Sequence, residues 1–212
     1  LYKVIHGTRI AMSVGLMTSI ISIPIGMALG ALAGYFGGWI DFVVSRAIEV
    51  MLGLPSILLA ILIAAAMGKG VDTLVISVGI VGIPQFARQV RASVLSLKEQ
   101  DFVVASRALG APPLRTLFRD ILPNALGPII VLATLGVGSA ILTAAGLSFL
   151  GLGVETGTPE WGAMLHAGRD EFRTSAHLAI FSGLAITLAV LAINLFGDGL
   201  RDALDPRVDK KA

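Results

Sequence analysis

The chain has 212 residues, 55% hydrophobic and only 14% charged, with a net charge of +2 and no cysteine. A soluble domain carries roughly a quarter charged residues, so this balance excludes an ordinary globular core and points to a bilayer as solvent. Disulfides and thiolate metal sites are excluded, and the small net charge is not that of a nucleic-acid-binding domain. Five uncharged stretches follow in chain order, at 10–40, 50–68, 73–87, 121–154 and 174–197. Since about 20 helical residues cross a hydrocarbon core, these predict an all-α membrane protein with helices near 9–36, 46–68, 72–97, 124–149 and 176–200. The third must carry Arg88 and Arg91 on an extension beyond the membrane, because its uncharged part is short. The whole chain, 1–212, reads as one membrane domain with a polar loop at 99–123 and a short polar tail at 201–212.

Lysine and arginine set the orientation. One arrangement places Arg46, Arg88, Arg91, Lys98, Arg107, Arg115, Arg119, Arg201, Arg207, Lys210 and Lys211 inside, against Lys3, Arg9, Lys69, Arg169 and Arg173 outside. That excess of eleven over five predicts a cytoplasmic 99–123 loop and C-terminus, with Leu1 outside. No basic-then-apolar leader precedes the first apolar run, and the expectation is that a first span of a longer protein is missing ahead of Leu1.

Within the spans, Gly26, Gly30, Gly34 and Gly38 recur every four residues and form one helix stripe without side chains. A second helix can approach closely there, so an intrachain packing face is a better reading than a pore lining. Pro24, Pro55, Pro84 and Pro128 lie in or near spans, where they release backbone carbonyls and permit either hinges or irregular helix ends. Ser139, Thr143, Thr187 and Asn194 are small polar groups that could line a pathway, although facing a neighbouring helix is the plainer role for each.

The most informative segment is EQDFVVASRALGAPPLRTLFRDILP, residues 99–123. It predicts two short helices around a fixed turn. On the first, Phe102, Ala105, Ser106 and Leu109 share one narrow face behind Asp101. Gly110 stops that helix, because glycine alone takes the left-handed C′ conformation without a Cβ penalty. Ala111 precedes proline and is pushed out of helical angles, and Pro112 or Pro113 restarts a helix. Leu114, Leu117, Phe118, Ile121 and Leu122 then make an amphipathic stripe, with Arg115, Arg119 and Asp120 toward water. A helix–turn–helix held at a membrane surface is suited to being gripped from outside the membrane.

This segment resembles the cytoplasmic loop of ABC-importer permeases, whose pattern is Glu-Ala-Ala, three residues, Gly, and further on Leu-Pro. Ala105-Ser106 stand for the alanine pair, Gly110 for the glycine and Leu122-Pro123 for the Leu-Pro. The glutamate position holds Val104, the second alanine is Ser106, and the pattern's isoleucine falls on Asp120 with Ile121 beside it. Residues 147–165, LSFLGLGVETGTPEWGAML, resemble the segment after the fifth helix in the dipeptide, oligopeptide and nickel branch of these permeases. Glycines there let the chain turn at the outer interface, and Trp161 is of the type that sits at a membrane–water boundary. NLFGDGLRDALDPR at 194–207, and Leu54-Pro55 with Leu58-Leu59-Ala60-Ile61, are similar to the same branch.

The resemblance implies a permease subunit that forms a heterodimer with a sister permease. Two ABC ATPase subunits and an extracytoplasmic solute-binding protein complete such an importer, with peptide as substrate and ATP and magnesium on the ATPases alone. The first loop helix, with Asp101, Phe102, Ala105, Ser106, Leu109 and Gly110, would couple to an ATPase. Nickel-chelate uptake is the alternative within transport, and an ion-coupled secondary transporter or an intramembrane enzyme lies outside this class. Catalytic and metal constellations are not apparent: His6, His166 and His177 are dispersed, and Glu49 pairs by spacing with Arg46, a proton-relay role being the alternative for this one acid inside a span. No glycine-rich loop ends in Gly-Lys-Ser or Gly-Lys-Thr, so ATP binding by this chain and any cofactor of its own are not expected. No nucleic-acid partner is expected either, and the lipid bilayer of the bacterial inner membrane is the implied surrounding.

Overall fold

A computed structural model describes residues 2–155, 157–170 and 172–204. Every regular element among them is helical: α1 (Tyr2–Phe36), α2 (Gly38–Gly53), α3 (Ser56–Met67), α4 (Val71–Leu97), α5 (Asp101–Ala108), α6 (Pro113–Arg115), a π-helical turn (Thr116–Ile121), α7 (Leu122–Phe149), α8 (Trp161–Asp170) and α9 (Phe172–Leu204). Four runs are long and apolar enough to cross a membrane, namely Tyr2–Phe36, Val71–Leu97, Pro113–Phe149 and Ser175–Leu204.

The second expected span, 46–68, is not one straight helix. It is the pair α2 and α3, bent by 91°. The cause is local: Pro55 forces Leu54 into extended angles (ψ 138°), which ends α2 and lets α3 restart in a new direction. The fourth span also differs from the expectation of 124–149. The second loop helix is not a separate element but the beginning of a continuous 37-residue helix, Pro113–Phe149. Its π-turn inserts extra backbone and rotates the residues within and after it, so Thr116 is buried with Leu117 and Ile121 while Phe118 is exposed; Leu114, in the first turn ahead of it, is exposed as well. The first helix starts at Tyr2 rather than near 9. α8 lies in what was read as a simple glycine-rich turn, and α9 is kinked at Ser175 (φ −137°, ψ 42°).

The path of the chain follows from the contacts. α1 and α4 run side by side in the same direction, with Gly26 against Phe86 and Ala87, Gly30 against Ala87 and Val90, and Gly34 against Arg91 and Val94. A Cβ on Gly26 or Gly34 would come within 3.0 Å of α4 backbone, and one on Gly30 would overlap the Ala87 carbonyl. The glycine stripe is therefore an intrachain seam, as its spacing suggests. Gly38 falls outside it: this residue begins α2 with φ +55° and touches nothing. Ser22 on the same seam donates to the Thr18 carbonyl of its own helix and the Gly79 carbonyl of α4 (2.9 and 2.7 Å).

Because α1 and α4 are parallel, the bent pair must carry the chain back between them, so it forms the return crossing. Gly70 N–H donates to the Gly153 carbonyl (2.9 Å), which places the start of α4 beside the end of α7 and α8. α7 and α9 then cross once each, and Arg201 and Leu204 finish near Asn124. The bundle thus has an α5 end, which also holds the end of α9, and an α8 end, which also holds the start of α1. Residues 201–204 of the expected tail belong to α9; 205–212 lie outside the described residues.

Three buried apolar clusters hold the bundle. One centres on Val14, Leu74 and Leu147, one near the α5 end on Val90, Val94, Val103, Leu117 and Ile121, and one on Ala11, Ile141, Trp161 and Ile186. On the outer face of α9, Ile180, Leu184, Leu188, Leu191 and Leu195 are exposed at helical spacing, as lipid contact requires. Trp161 is held by a specific contact within the chain. It is buried, its Nε1–H donates to the Val4 carbonyl (2.9 Å), and its ring lies against Gly7. Glu160, also buried, caps α8 by accepting from the Gly162 and Ala163 N–H groups (2.9 and 2.8 Å). The Pro-Glu-Trp-Gly run is thus a helix-starting device that pins α8 to α1.

Candidate coupling surface and transmembrane cleft

α5 begins after Gln100 in extended conformation, with Asp101 in its first turn and Arg107 in its last, each of the sign the helix dipole favours. It ends in a Schellman motif. Gly110 (φ +83°) donates its N–H to the Arg107 carbonyl and Ala111 donates to the Ser106 carbonyl. Pro112 then extends the chain (ψ 150°), and Pro113 opens the next helix at its first position.

The face that α5 turns inward is not the expected one. Val103 is its only fully buried side chain, set among Val90, Val94, Leu117 and Ile121. Ser106 also turns inward and its hydroxyl donates to the Asp120 carboxylate (2.7 Å). Phe102, Ala105 and Leu109 face outward, Leu109 being 89% exposed, with Val104 exposed beside them. The four-residue face predicted from spacing therefore splits: three members form an outer apolar surface, and Ser106 belongs to the anchor. Val103 escaped the sequence reading because an eight-residue helix has too few turns for periodicity to identify its inner face.

The anchor extends across the α5 end. The Arg91 guanidinium makes two hydrogen bonds to Asp41 (2.5 and 2.6 Å), joining α2 to α4. Lys98 donates to the Gly34 carbonyl (3.2 Å), and the Arg107 guanidinium stacks 5.1 Å from the Tyr35 ring centre. Arg46 and Glu49 do form the expected pair (2.8 Å), but both side chains are more than half exposed, so it contributes little stability. A force applied to the outside of α5 would pass through Val103 into α4 and through Ser106 and Asp120 into the helix that becomes α7.

Above this base lies a cleft between α4 and α7. Ser139 and Thr143 line a cavity of about 270 Å³ together with Ser56, Gln85 and Thr18. Thr187 and Asn194 do not reach it. Thr187 donates back to the Gly183 carbonyl of its own helix, and Asn194 packs against Gly138 of α7. Gln85 and Gln89 were missed by sequence reading, although two amides four residues apart at the margin of an uncharged run were the available signal. Among the described residues no group of three His, Asp or Glu side chains could hold a metal ion.

The fold is one found in membrane subunits of ABC transporters. The fold is similar to an inward-facing MetNI methionine ABC transporter structure (TM-score 0.78, 17% identity, 97% of each chain). It is also similar to an amino acid ABC transporter crystallised with histidines (TM-score 0.69, 18% identity, 97% of this chain and 94% of that one). By sequence, residues 26–210 match the family of binding-protein-dependent transport system inner membrane components, and the chain belongs to that family. It is 46% identical over 97% of its length to the dipeptide transport system permease protein DppC of Alkalihalophilus pseudofirmus, covering 68% of that protein. It is 47% identical to the di/tripeptide permease DppC of Pseudomonas aeruginosa (all of this chain, 70% of that one) and 46% identical to the glutathione permease GsiD of Pectobacterium atrosepticum (97% and 68%). The protein is accordingly a membrane-spanning transport subunit rather than an enzyme, and its family implies ATPase and binding-protein partners.

Proposed function

We propose that this chain is one of two transmembrane subunits of an ATP-driven importer of short peptides in the bacterial inner membrane. Its partners are a sister permease, two ATPase subunits and an extracytoplasmic solute-binding protein. ATP and magnesium act on the ATPases, and this chain binds no cofactor of its own. The α5 end faces the cytoplasm, as the eleven-to-five excess of basic residues favours. The α8 end faces the binding protein.

The observation that carries this reading is α5 itself. A short helix with an exposed apolar face, stopped by a left-handed glycine and keyed into two spans by one buried valine, suits a lever pressed by another subunit. Residues 99–123 form that coupling element. Ser139 and Thr143, in the α4–α7 cleft, form part of this chain's half of the translocation pathway. Thr187 and Asn194 are better placed for helix packing. Peptide is favoured over chelated nickel because the three relatives named above carry peptides in their names and, among the described residues, no acid or histidine cluster faces the cleft.

The test is affinity purification of the tagged chain with its neighbours, followed by uptake in cells lacking their own systems. Co-purification with an ATPase and ATP-dependent uptake of labelled dipeptides are expected. Nickel uptake without peptide uptake would replace the substrate, and transport without any ATPase would replace the mechanism.

A further inference from the structure

Between the α5 end and the middle of the bundle, α4 presents Gln85, Gln89, Ser93 and Ser96 along one face, within about 80° of arc at 100° per residue. Gln85 lines the central cavity. Gln89 lines two more, of about 360 and 650 Å³, both shared with Asn124 of α7. Since Gln85 and Gln89 are one helical turn apart, the three cavities follow one another along α4 and α7. Along α7 the residues that line these cavities extend from Thr143 to Asn124, about 28 Å at 1.5 Å per residue, close to the hydrocarbon thickness of a bilayer.

A primary amide facing hydrocarbon without a partner costs several kcal/mol, so this is not a lipid-facing surface. Most hydroxyls around the central cavity donate to helix backbone: Thr18 and Ser19 to the Gly15 carbonyl, Ser22 to Thr18 and Gly79, and Thr143 to the Ser139 carbonyl, which leaves those of Ser56 and Ser139. The side-chain amides of Gln85 and Gln89 present a donor and an acceptor on separate atoms in one plane, which a hydroxyl cannot do. Among the described residues no charged side chain lines the cavities of about 270 and 360 Å³, and Arg201 lines the one of about 650 Å³.

We propose that Gln85 and Gln89 are specificity-determining residues that read the backbone amide of a passing peptide. The inference rests on the peptide-importer reading and adds to it a named pair of contacts. A peptide group offers one N–H and one C=O, which a glutamine amide matches in a single pairing whatever the adjoining side chains are. Neutral pairing also binds weakly enough to release, as a conducting path requires. A charge at either position would convert this side-chain-blind groove into one that sorts peptides by charge.

The experiment uses the complete complex in proteoliposomes, with sister permease, ATPases and binding protein. Initial uptake of Ala-Ala, Asp-Asp and Lys-Lys dipeptides is compared for wild type, Gln89→Glu, Gln89→Lys and Gln85→Glu. Expected is an acidic-to-basic uptake ratio about five-fold or more above wild type in Gln89→Lys, and shifted the other way in both glutamate variants. Gln89→Leu is expected to slow all three peptides alike while ATP hydrolysis continues. Ratios within two-fold of wild type in all charged variants would overturn the assignment while leaving the importer reading intact. A wild-type complex that imports no dipeptide would overturn the importer reading, and the assignment with it.

Discussion

Ser106 and Asp120 are hydrogen-bonded to each other, hydroxyl to carboxylate, at 2.7 Å. They are also two of the positions where the 99–123 loop departs from the family pattern, which has alanine at the first and isoleucine at the second. The two departures are therefore one: a polar pair has replaced an apolar pair at the joint between α5 and the helix leading into α7. A double-mutant cycle should reveal it. Ser106→Ala or Asp120→Ile alone should destabilise the solubilised complex by about 1 kcal/mol, because each leaves a half-buried partner unsatisfied. The double variant should recover much of that loss. Thermal unfolding of the four complexes measures it, and strictly additive losses would mean the pair is not coupled.

Val103 is the wedge on which the lever reading depends. Val103→Ala removes two methyl groups from a fully buried site and should cost about 1–2 kcal/mol locally. The expected readout is ATP hydrolysis that continues with fewer peptides moved per ATP. Val104→Ala, one residue along on the exposed side, should leave that ratio unchanged. Transport and hydrolysis measured on the same proteoliposomes separate the two.

The glycine seam gives a packing test. Gly30→Leu should abolish assembly, since even a Cβ there overlaps the Ala87 carbonyl of α4. The matching control must lie on an exposed face. Ala31 is buried and unsuitable, whereas Ala28 is exposed, so Ala28→Leu should assemble normally. Equal yields of intact complex from Gly30→Leu and Ala28→Leu would show that the α1–α4 contact tolerates separation.

These outcomes also indicate what the sequence made legible. Membrane class, the glycine seam from Gly26 to Gly34 and the stop at Gly110 each follow from one strong local rule: hydropathy, small-residue spacing, or positive φ. The bend at Leu54-Pro55 was marked by its proline, but its size depends on which neighbours α2 and α3 meet, which no local rule contains. The π-turn at Thr116–Ile121 left no sequence mark at all, and it takes Phe118 off the buried stripe that a regular helix would give it. Residue type alone suggested a boundary position for Trp161; that its indole is satisfied by the Val4 carbonyl, 157 residues away, is a tertiary contact no local rule contains. Gln85 and Gln89, four residues apart on one helix face, were not singled out, because only the cavities along α7 show what that face lines.

Sidedness follows from labelling single cysteines in this cysteine-free chain. Ala108→Cys, on the exposed face of α5, should react with an impermeant reagent only from the cytoplasmic side. Thr158→Cys, near the start of α8, should react from outside. Labelling of Ala108→Cys in intact cells would reverse the bundle and separate α5 from any cytoplasmic ATPase.

The sharpest expectation concerns α5 itself. Ala105 is exposed, so Ala105→Trp adds bulk that the isolated subunit accommodates without strain. Gly110 has no atom within 4 Å of where a Cβ would sit, so Gly110→Val introduces no clash either. Its effect is confined to the backbone: holding valine at φ +83° costs roughly 1–2 kcal/mol, which favours unwinding of the Schellman turn. Gly110→Asn, which tolerates left-handed angles better, should be milder. Both Ala105→Trp and Gly110→Val should therefore reach the membrane in normal amount and pair with the sister permease. Both should lose ATP-driven uptake, the first by blocking the docking surface and the second by loosening the lever. Reconstituted complexes assayed for assembly, ATP hydrolysis and uptake decide the matter. Full substrate-stimulated transport by both variants would mean that force enters this subunit somewhere other than α5.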